Sequence, residues 1–293
     1  AVGSKRHAKA LFKSLPGATL VLEPFGRNSA PAIAAACLAC APDEMLLVPP
    51  ADHDIANLPA FHAAISAGLP AAEAGAIVTF GIKPTHAETG YGYLELAEDP
   101  GDFAARPLAL SRFVEKPDAA TAETMVEAGT FLWNAGIFLF SVKTILEAFR
   151  AHAPDLIAPV QAAVDQGQPD LGFLRLDPKA WAKAEDISID YAVMEKTDRA
   201  AVVPVDMGWS DIGNWQVLRD ARTGDAEGNR VSGRAELVDC RNVLVESDGP
   251  RVSVIGLEDV CIVVDGDEVL VTTVDGAQKV GKLAGAQNQR GAA

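Results

Sequence analysis

The sequence predicts an α/β domain followed by a small all-β unit. Three observations carry that prediction. Short apolar or β-branched runs alternate with alanine-rich segments of helical period through the first 222 residues, and five short strands with no helix among them follow. The composition is that of an ordinary globular chain, 49% hydrophobic and 22% charged. At 293 residues the chain can bury a full core, and its length suits one large domain with a small second one.

The apolar runs at 17–22 (GATLVL), 45–49 (MLLVP), 76–82 (AIVTFGI), 109–115 (ALSRFVE), 135–141 (AGIFLFS) and 201–206 (AVVPVD) read as strands, most of them bounded by turn residues. Helical segments are expected between several of them, over 30–41, 60–74, 118–129 and 142–151. Such alternation argues for a mostly parallel sheet with helices on both faces. After RTGDAEGN, which reads as a loop, come VSGRAELVD, RNVLVES, RVSVIGLED, VCIVVDGD and EVLVTTVDG, short strands parted by Gly, Asp and Asn turns. A sandwich, a barrel or a β-solenoid would all give that spacing. The expected division is therefore an α/β domain over 1–222, a β domain over 223–283 and a disordered small, polar tail over 284–293. The chain opens with AVGSKRH, without an initiator Met. It reads as the end of a strand running into a helix, as a piece of a longer chain would.

A formal net charge of −15 excludes a nucleic-acid or anionic-membrane surface, since both require a basic footprint. No apolar stretch approaches the roughly 18 residues needed to span a bilayer. No signal peptide opens the chain, so a cytoplasmic location is expected. Four cysteines in a chain this long do not form a disulfide framework. Cys37 and Cys40 lie inside AIAAACLACA, where a helix would put both on a buried face.

Ligands of open parallel sheets gather beyond the carboxyl ends of strands, so the polar residues there are the functional candidates. After the first strand, EPFGRNSAPAIAAA (23–36) offers Glu23, Arg27 and Asn28. It reads either as an ordinary capped connection or as a loop that meets a base or phosphate. PPADHDI places Asp52 directly after an apolar strand, as a hard oxygen donor suited to Mg²⁺. The neighbouring His53 suits a capping or hydrogen-bonding role better. ETGYGY (88–93) puts Gly90 and Tyr91 in a turn that could admit a ligand close to the backbone. FVEKPD ends a strand with Glu115 and Lys116, and WNAGIF starts one with Asn134. SIDYAVMEK reads as a capped helix start with Asp190 in its first turn and Lys196 near its end. GWSDIGNW sets Asp211 in a loop between aromatics, whose burial explains Trp209 and Trp215 and leaves the aspartate unexplained.

In this order, EPFGRNSAPA, PPADHDI, ETGYGY, FVEKPD, WNAGIF, SIDYAVMEK and GWSDIGNW resemble the mannose-1-phosphate guanylyltransferase family, over roughly residues 17 to 282. The resemblance implies a Rossmann-like nucleotidyltransferase domain with a small C-terminal β domain, often a left-handed β-helix. It implies a reaction that joins GTP and mannose 1-phosphate into GDP-mannose with release of pyrophosphate. It puts Glu23 and Asn28 near the guanine, Gly90, Glu115 and Asn134 at the mannose, and Lys116 and Lys196 near the sugar phosphate. Asp52 and Asp211 would hold Mg²⁺ and, with Lys196, form the catalytic set. The family's opening strand and glycine-rich triphosphate loop have no match here. That leaves open a non-catalytic sugar-nucleotide-binding subunit, and because Glu115 and Asn134 can serve several hexoses, a nucleotidyltransferase for another sugar or base is open as well. Open strand edges in the β domain could pair across a homodimer.

Overall fold

A computed structural model describes residues 2–4, 18–99, 101, 105–170, 173–213 and 215–283. The tail expected to be disordered, 284–293, lies outside the described residues, as does the helix expected after the opening strand. Contacts divide the chain into two compact units, one of residues 1–51 with 55–209 and one of residues 52–54 with 210–293.

Along residues 2–210 the elements run β1 (Val2–Ser4), β2 (Leu20–Glu23), α1 (Ser29–Leu38), β3 (Met45–Val48), β4 (Asp54–Ile55), α2 (Leu58–Glu73), β5 (Ile77–Ile82), β6 (Gly92–Leu96), β7 (Leu108–Glu115), α3 (Ala119–Ala128), β8 (Phe131–Ser141), α4 (Val142–His152), α5 (Pro154–Asp165), β9 (Gln168–Asp170), β10 (Phe173–Arg175) and α6 (Pro178–Trp181). A π-helical turn over Asp190–Met194, β11 (Ala200–Pro204) and β12 (Trp209–Ser210) follow. Helices start where short polar side chains satisfy first-turn amides: Asn57 accepts from Ala60 N, Asp118 from Thr121 N and Ser141 from Thr144 N.

The main sheet has the order β3-β8-β5-β11-β7-β6, and a second sheet the order β1-β2-β10-β9. The α/β class holds, and apolar clusters cover both faces of the main sheet. Phe61, Ala64 and Ala72 of α2 pack on one face with Val78, Phe80, Leu139 and Val203. Side chains from α1, α4 and α5 pack on the other with Ile77, Leu132 and Val202. Strand directions are more mixed than the expected mostly parallel sheet. In the main sheet only β5 and β11 pair in parallel, and β3–β8, β8–β5, β11–β7, β7–β6 and β6–β8 are antiparallel. The reason is interleaving. The crossover from β3 through α2 to β5 keeps its direction, as strand–helix–strand units do. The oppositely directed β8 is inserted between those two strands.

The second unit contains α7 (Trp215–Ala221) and six strands, β13 (Arg230–Ser232), β14 (Ala235–Val238), β15 (Leu244–Ser247), β16 (Val252–Ile255), β17 (Val260–Asp265) and β18 (Glu268–Thr273). Strands β13, β15 and β17 stack in parallel register, and so do β14 and β16. The register step from Leu244 to Cys261 equals that from Ala235 to Val252. Corners recur at the same step, with Asp239 and Gly256, then Asn242 and Asp259, all at φ between 52° and 68°. Gly, Asn and Asp are the residues that tolerate that conformation. These are the rungs of a β-solenoid, so stacking selects one of the three expected architectures. Val243, Val245, Val254 and Ile262 fill its interior. The antiparallel strand β18 closes the last rung. Helix α7 belongs with this unit because Trp215 and Leu218 pack on Leu244, Cys261 and Val274.

Candidate functional site

The polar residues expected at strand ends fall into three groups. The first is the loop leaving β2. Here Trp181 Nε1 donates to the Phe25 carbonyl at 2.8 Å, Ile189 N donates to Ser29 Oγ at 2.9 Å and Ala30 N donates to the Ile187 carbonyl at 3.2 Å. Arg27 Nη2 donates to the Ala182 carbonyl at 2.6 Å, with the guanidinium carbon 5.1 Å from the centre of the Phe25 ring. Asn28, at φ 67°, caps α1 by accepting from Ser29 N at 2.9 Å. Much of this loop therefore fixes the chain path. It leaves two buried atoms without a hydrogen-bond partner, Glu23 Oε1 and Arg27 Nε. Burial pushes the Glu23 carboxyl up to about 7. Glu23 lies on the wall of a cavity of about 530 Å³ shared with Gln166, Gln168, Arg175 and Asp177.

The second group is a side-chain cluster assembled from β5, β7, β8 and the π-helical turn. Asn134 Nδ2 donates to Asp190 Oδ1 at 3.2 Å, while its Oδ1 accepts from Thr79 Oγ1 at 2.8 Å and from Gly136 N at 3.2 Å. Glu115 leaves 7% of its side chain exposed and pairs with Lys116 Nζ at 3.0 Å. Burial, and after it the charge of Glu115, holds the Asp190 carboxyl up to about 6. The Glu115 hydrogen bond raises the Lys116 ammonium above its usual range. Gly92 opens β6 against this cluster, and a Cβ there would stand 2.7 Å from Glu115 Oε2. In the same motif Gly90 N donates to Glu88 Oε1 at 2.9 Å. Tyr91 stands edge-on between Trp133 and Trp209, 5.2 Å from each ring centre. Trp133 Nε1 is buried with no hydrogen-bond partner.

The third group contains Asp52 and Asp211, which share the second compact unit. Strand β4, just after Asp52, pairs with β12, just before Asp211. Ala56 N donates to the Gly208 carbonyl at 3.2 Å and Asn57 N to the Met207 carbonyl at 2.9 Å, continuing that pairing. Asp52 is exposed, and Asp211 Oδ1 accepts from Gly213 N at 3.0 Å. Among the described residues no group of three or more His, Cys, Asp or Glu side chains could hold a metal ion. Two carboxylates fit Mg²⁺, which protein sites commonly hold by one or two carboxylates plus substrate phosphates. Lys196 is exposed and donates to the His152 carbonyl at 3.4 Å, at the end of α4. No described contact joins it to the cluster around Asn134.

Thr79, Gly92 and Gly136 are residues of this cluster that strand-end reasoning missed. Gly92 was within reach, because it sits in the same ETGYGY motif. Among the described residues no helix is long and apolar enough to cross a membrane.

An α/β unit with a partly buried polar cluster drawn from β5, β7, β8 and the π-helical turn, with Asn134 inside β8 rather than at the start of a strand as expected, followed by a β-solenoid, has the layout of a ligand-binding α/β protein. The nucleotidyl transferase family matches residues 5–228, and a MannoseP isomerase/GMP-like β-helix domain matches residues 233–285. The chain belongs to the nucleotidyl transferase family, in the branch that carries this β-helix. Xanthan biosynthesis protein XanB of Xanthomonas campestris pv. campestris is 45% identical over 265 residues, 89% of this chain and 55% of the relative. Mannose-1-phosphate guanylyltransferase of Escherichia coli K12 is 40% identical over 270 residues, 90% of this chain and 56% of the relative. A crystal structure of mannose-1-phosphate geranyltransferase from Thermus thermophilus superposes with a TM-score of 0.79 at 32% identity, covering 98% of this chain and 83% of that one. The chain spans about half the length of the curated relatives it matches.

Proposed function

We propose that the protein transfers GMP from GTP to mannose 1-phosphate, giving GDP-mannose and pyrophosphate. The observation that carries this is the cluster of Asn134, Glu115, Asp190 and Lys116, which gathers amide, carboxylate and ammonium groups around a partly buried carboxyl. A sugar phosphate needs that set: carboxylates and amides for hydroxyls, and an ammonium for the phosphate.

On the base side, the two orphaned atoms of the β2 loop are an acceptor and a donor, Glu23 Oε1 and Arg27 Nε. Guanine carries N–H donors beside its O6 acceptor and so complements both, whereas adenine has no such donor pair next to an oxygen acceptor. In the reaction a phosphate oxygen of mannose 1-phosphate forms a bond to the α-phosphorus of GTP, and the bond to pyrophosphate breaks. Positioning and charge neutralisation carry such chemistry. Asn134 and Glu115 would hold the sugar, and Lys116 would lean to its phosphate. Asp52 and Asp211 would hold Mg²⁺, which supplies charge neutralisation at the phosphates when bound. Lys196 would take part only after leaving the His152 carbonyl.

All four cysteines are free, in keeping with a reducing cytoplasm. A homodimer through the β-solenoid is part of the proposal, supported by the exposed Ile255, Val269 and Val271 on its strands. Sedimentation checks it. The decisive test is pyrophosphate release by this chain and by the full-length protein with mannose 1-phosphate, Mg²⁺ and each of GTP, ATP, UTP and dTTP. GTP is expected to be used best. Equal use of all four, or no release by the full-length protein, would contradict the proposal.

A further inference from the structure

Thr79 is the third residue of β5, an otherwise apolar strand, and it is fully buried. A buried hydroxyl without a partner is destabilising, so its bonds are informative. Thr79 Oγ1 donates to Asn134 Oδ1 at 2.8 Å and lies 3.0 Å from the Ile137 carbonyl. The Ile137 carbonyl alone would satisfy the hydroxyl, yet the shorter bond goes to a side chain of the candidate site.

The backbone is shaped to the same end. The register of β5 against β8 breaks here, with Thr79 opposite Phe138 and Gly81 opposite Asn134. Gly136, inside the extra length of β8, takes φ 67°, which glycine adopts without strain. This turns Gly136 N onto Asn134 Oδ1 at 3.2 Å. A backbone N–H can only donate, so Gly136 N sets the amide oxygen of Asn134 on this side with its NH₂ group facing the other way, and the single hydrogen of the Thr79 hydroxyl adds a second bond to that oxygen. One hydrogen of that NH₂ goes to Asp190 Oδ1 at 3.2 Å. The other remains for a ligand oxygen. A flipped amide would aim its oxygen at the Asp190 carboxyl and offer the ligand no donor.

We infer that Thr79 is a positioning residue of the sugar-phosphate subsite: its hydroxyl, with the Gly136 amide, fixes which way the Asn134 carboxamide faces. The inference rests on the assignment of that cluster to mannose 1-phosphate, and its test separates the two. Wild type, Thr79→Val, Thr79→Ser and Asn134→Ala are compared by calorimetric titration with mannose 1-phosphate and with GTP. The Asn134 side-chain amide is also followed by NMR without ligand.

Thr79→Val keeps the shape and loses the hydroxyl. It is expected to weaken mannose 1-phosphate about tenfold, the size of one lost hydrogen bond, with GTP affinity unchanged and the Asn134 amide signals displaced. Thr79→Ser, which keeps the hydroxyl, is expected to restore both. The inference is overturned if Thr79→Val binds mannose 1-phosphate like wild type while Asn134→Ala does not, if both ligands weaken equally, or if Thr79→Ser behaves as Thr79→Val. If Asn134→Ala itself binds normally, the subsite assignment fails. The unliganded amide signals then decide the positioning role alone, and unmoved signals in Thr79→Val overturn it.

Discussion

The loop after β2 and the cluster around Asn134 are both rich in polar side chains, and they differ in where those side chains find partners. In the loop the partners are mostly backbone groups: Arg27 reaches the Ala182 carbonyl, Ser29 accepts from Ile189 N and Asn28 accepts from Ser29 N. Such bonds hold a chain path, and what they leave over, Glu23 Oε1 and Arg27 Nε, is small. In the cluster the main links run from side chain to side chain: Thr79 to Asn134, Asn134 to Asp190 and Glu115 to Lys116. Groups drawn from separate elements gain nothing for any one element's path, and they keep a carboxyl away from its usual acidity. Side-chain partners mark the cluster as the candidate ligand site, and backbone partners, near or far in sequence, mark the loop as a fixed chain path.

Asp190 should break that comparison most visibly. Its pKa in the folded state, about 6, lies above the ordinary value of 3.8. Its contribution to stability is therefore full below 3.8 and is lost as pH rises through about 6. Asp190→Asn removes that penalty, so at pH 8 the variant is expected to be more stable than wild type by about 2–3 kcal/mol in urea unfolding. The same change is expected to weaken mannose 1-phosphate on the order of 100-fold, because a charged acceptor at the site is gone. Stability and affinity moving in opposite directions is the mark of a carboxyl kept for a ligand, and a loss of both would class Asp190 as structural.

Glu23 offers a smaller version of the same contrast inside the loop. Its carboxyl is raised from 4.5 to about 7, so its stabilising contribution fades as pH rises through about 7. Glu23→Gln should then gain about 1–2 kcal/mol at pH 8, allowing for its partial exposure, and should weaken GTP about tenfold while leaving ATP unaffected. Nucleotide titration and thermal melts at pH 5 and pH 8 check both parts. Asn28, which the resemblance puts near the guanine, carries a capping bond in the same loop. Asn28→Ala is expected to cost about 1 kcal/mol through the lost cap, and Asn28→Gly to recover most of it because φ is 67°. The GTP affinity of the folded protein should be the same in both, and a selective loss of GTP binding would move Asn28 to the ligand side.

Much of this contrast was legible in the sequence. Glu115, Asn134 and Asp190 stand out singly as polar residues at the ends of apolar runs, and their motif order ties them together. Thr79 does not stand out, because a β-branched residue inside AIVTFGI reads as a strand former. Its role depends on a bulge in β8, far away in sequence, that only pairing reveals. Interleaving of β8 between β3 and β5 is hidden for the same reason: sequence periodicity reports which face a residue takes and says nothing of which strand lies beside it. The segment holding α5, β9, β10 and α6 gave little signal, since Pro154, Pro159, Pro169 and Pro178 break its pattern. Regular spacing left the solenoid as one of three architectures and the resemblance implied a β-helix, while the equal register step that selects it is a property of stacking. Asp52 and Asp211 are linked in the sequence only by motif order across a long stretch of chain, and the structure adds that β4, just after the first, pairs with β12, just before the second.

The central claim is that the Asn134 cluster holds the sugar phosphate. A crystal structure of the protein with mannose 1-phosphate tests it most directly. The account predicts sugar hydroxyl oxygens within hydrogen-bond distance of Asn134 Nδ2 and of the Glu115 carboxylate, with the phosphate turned toward Lys116. Mannose 1-phosphate bound elsewhere, with the Thr79, Asn134 and Asp190 hydrogen bonds unchanged and no ligand atom against them, would contradict it.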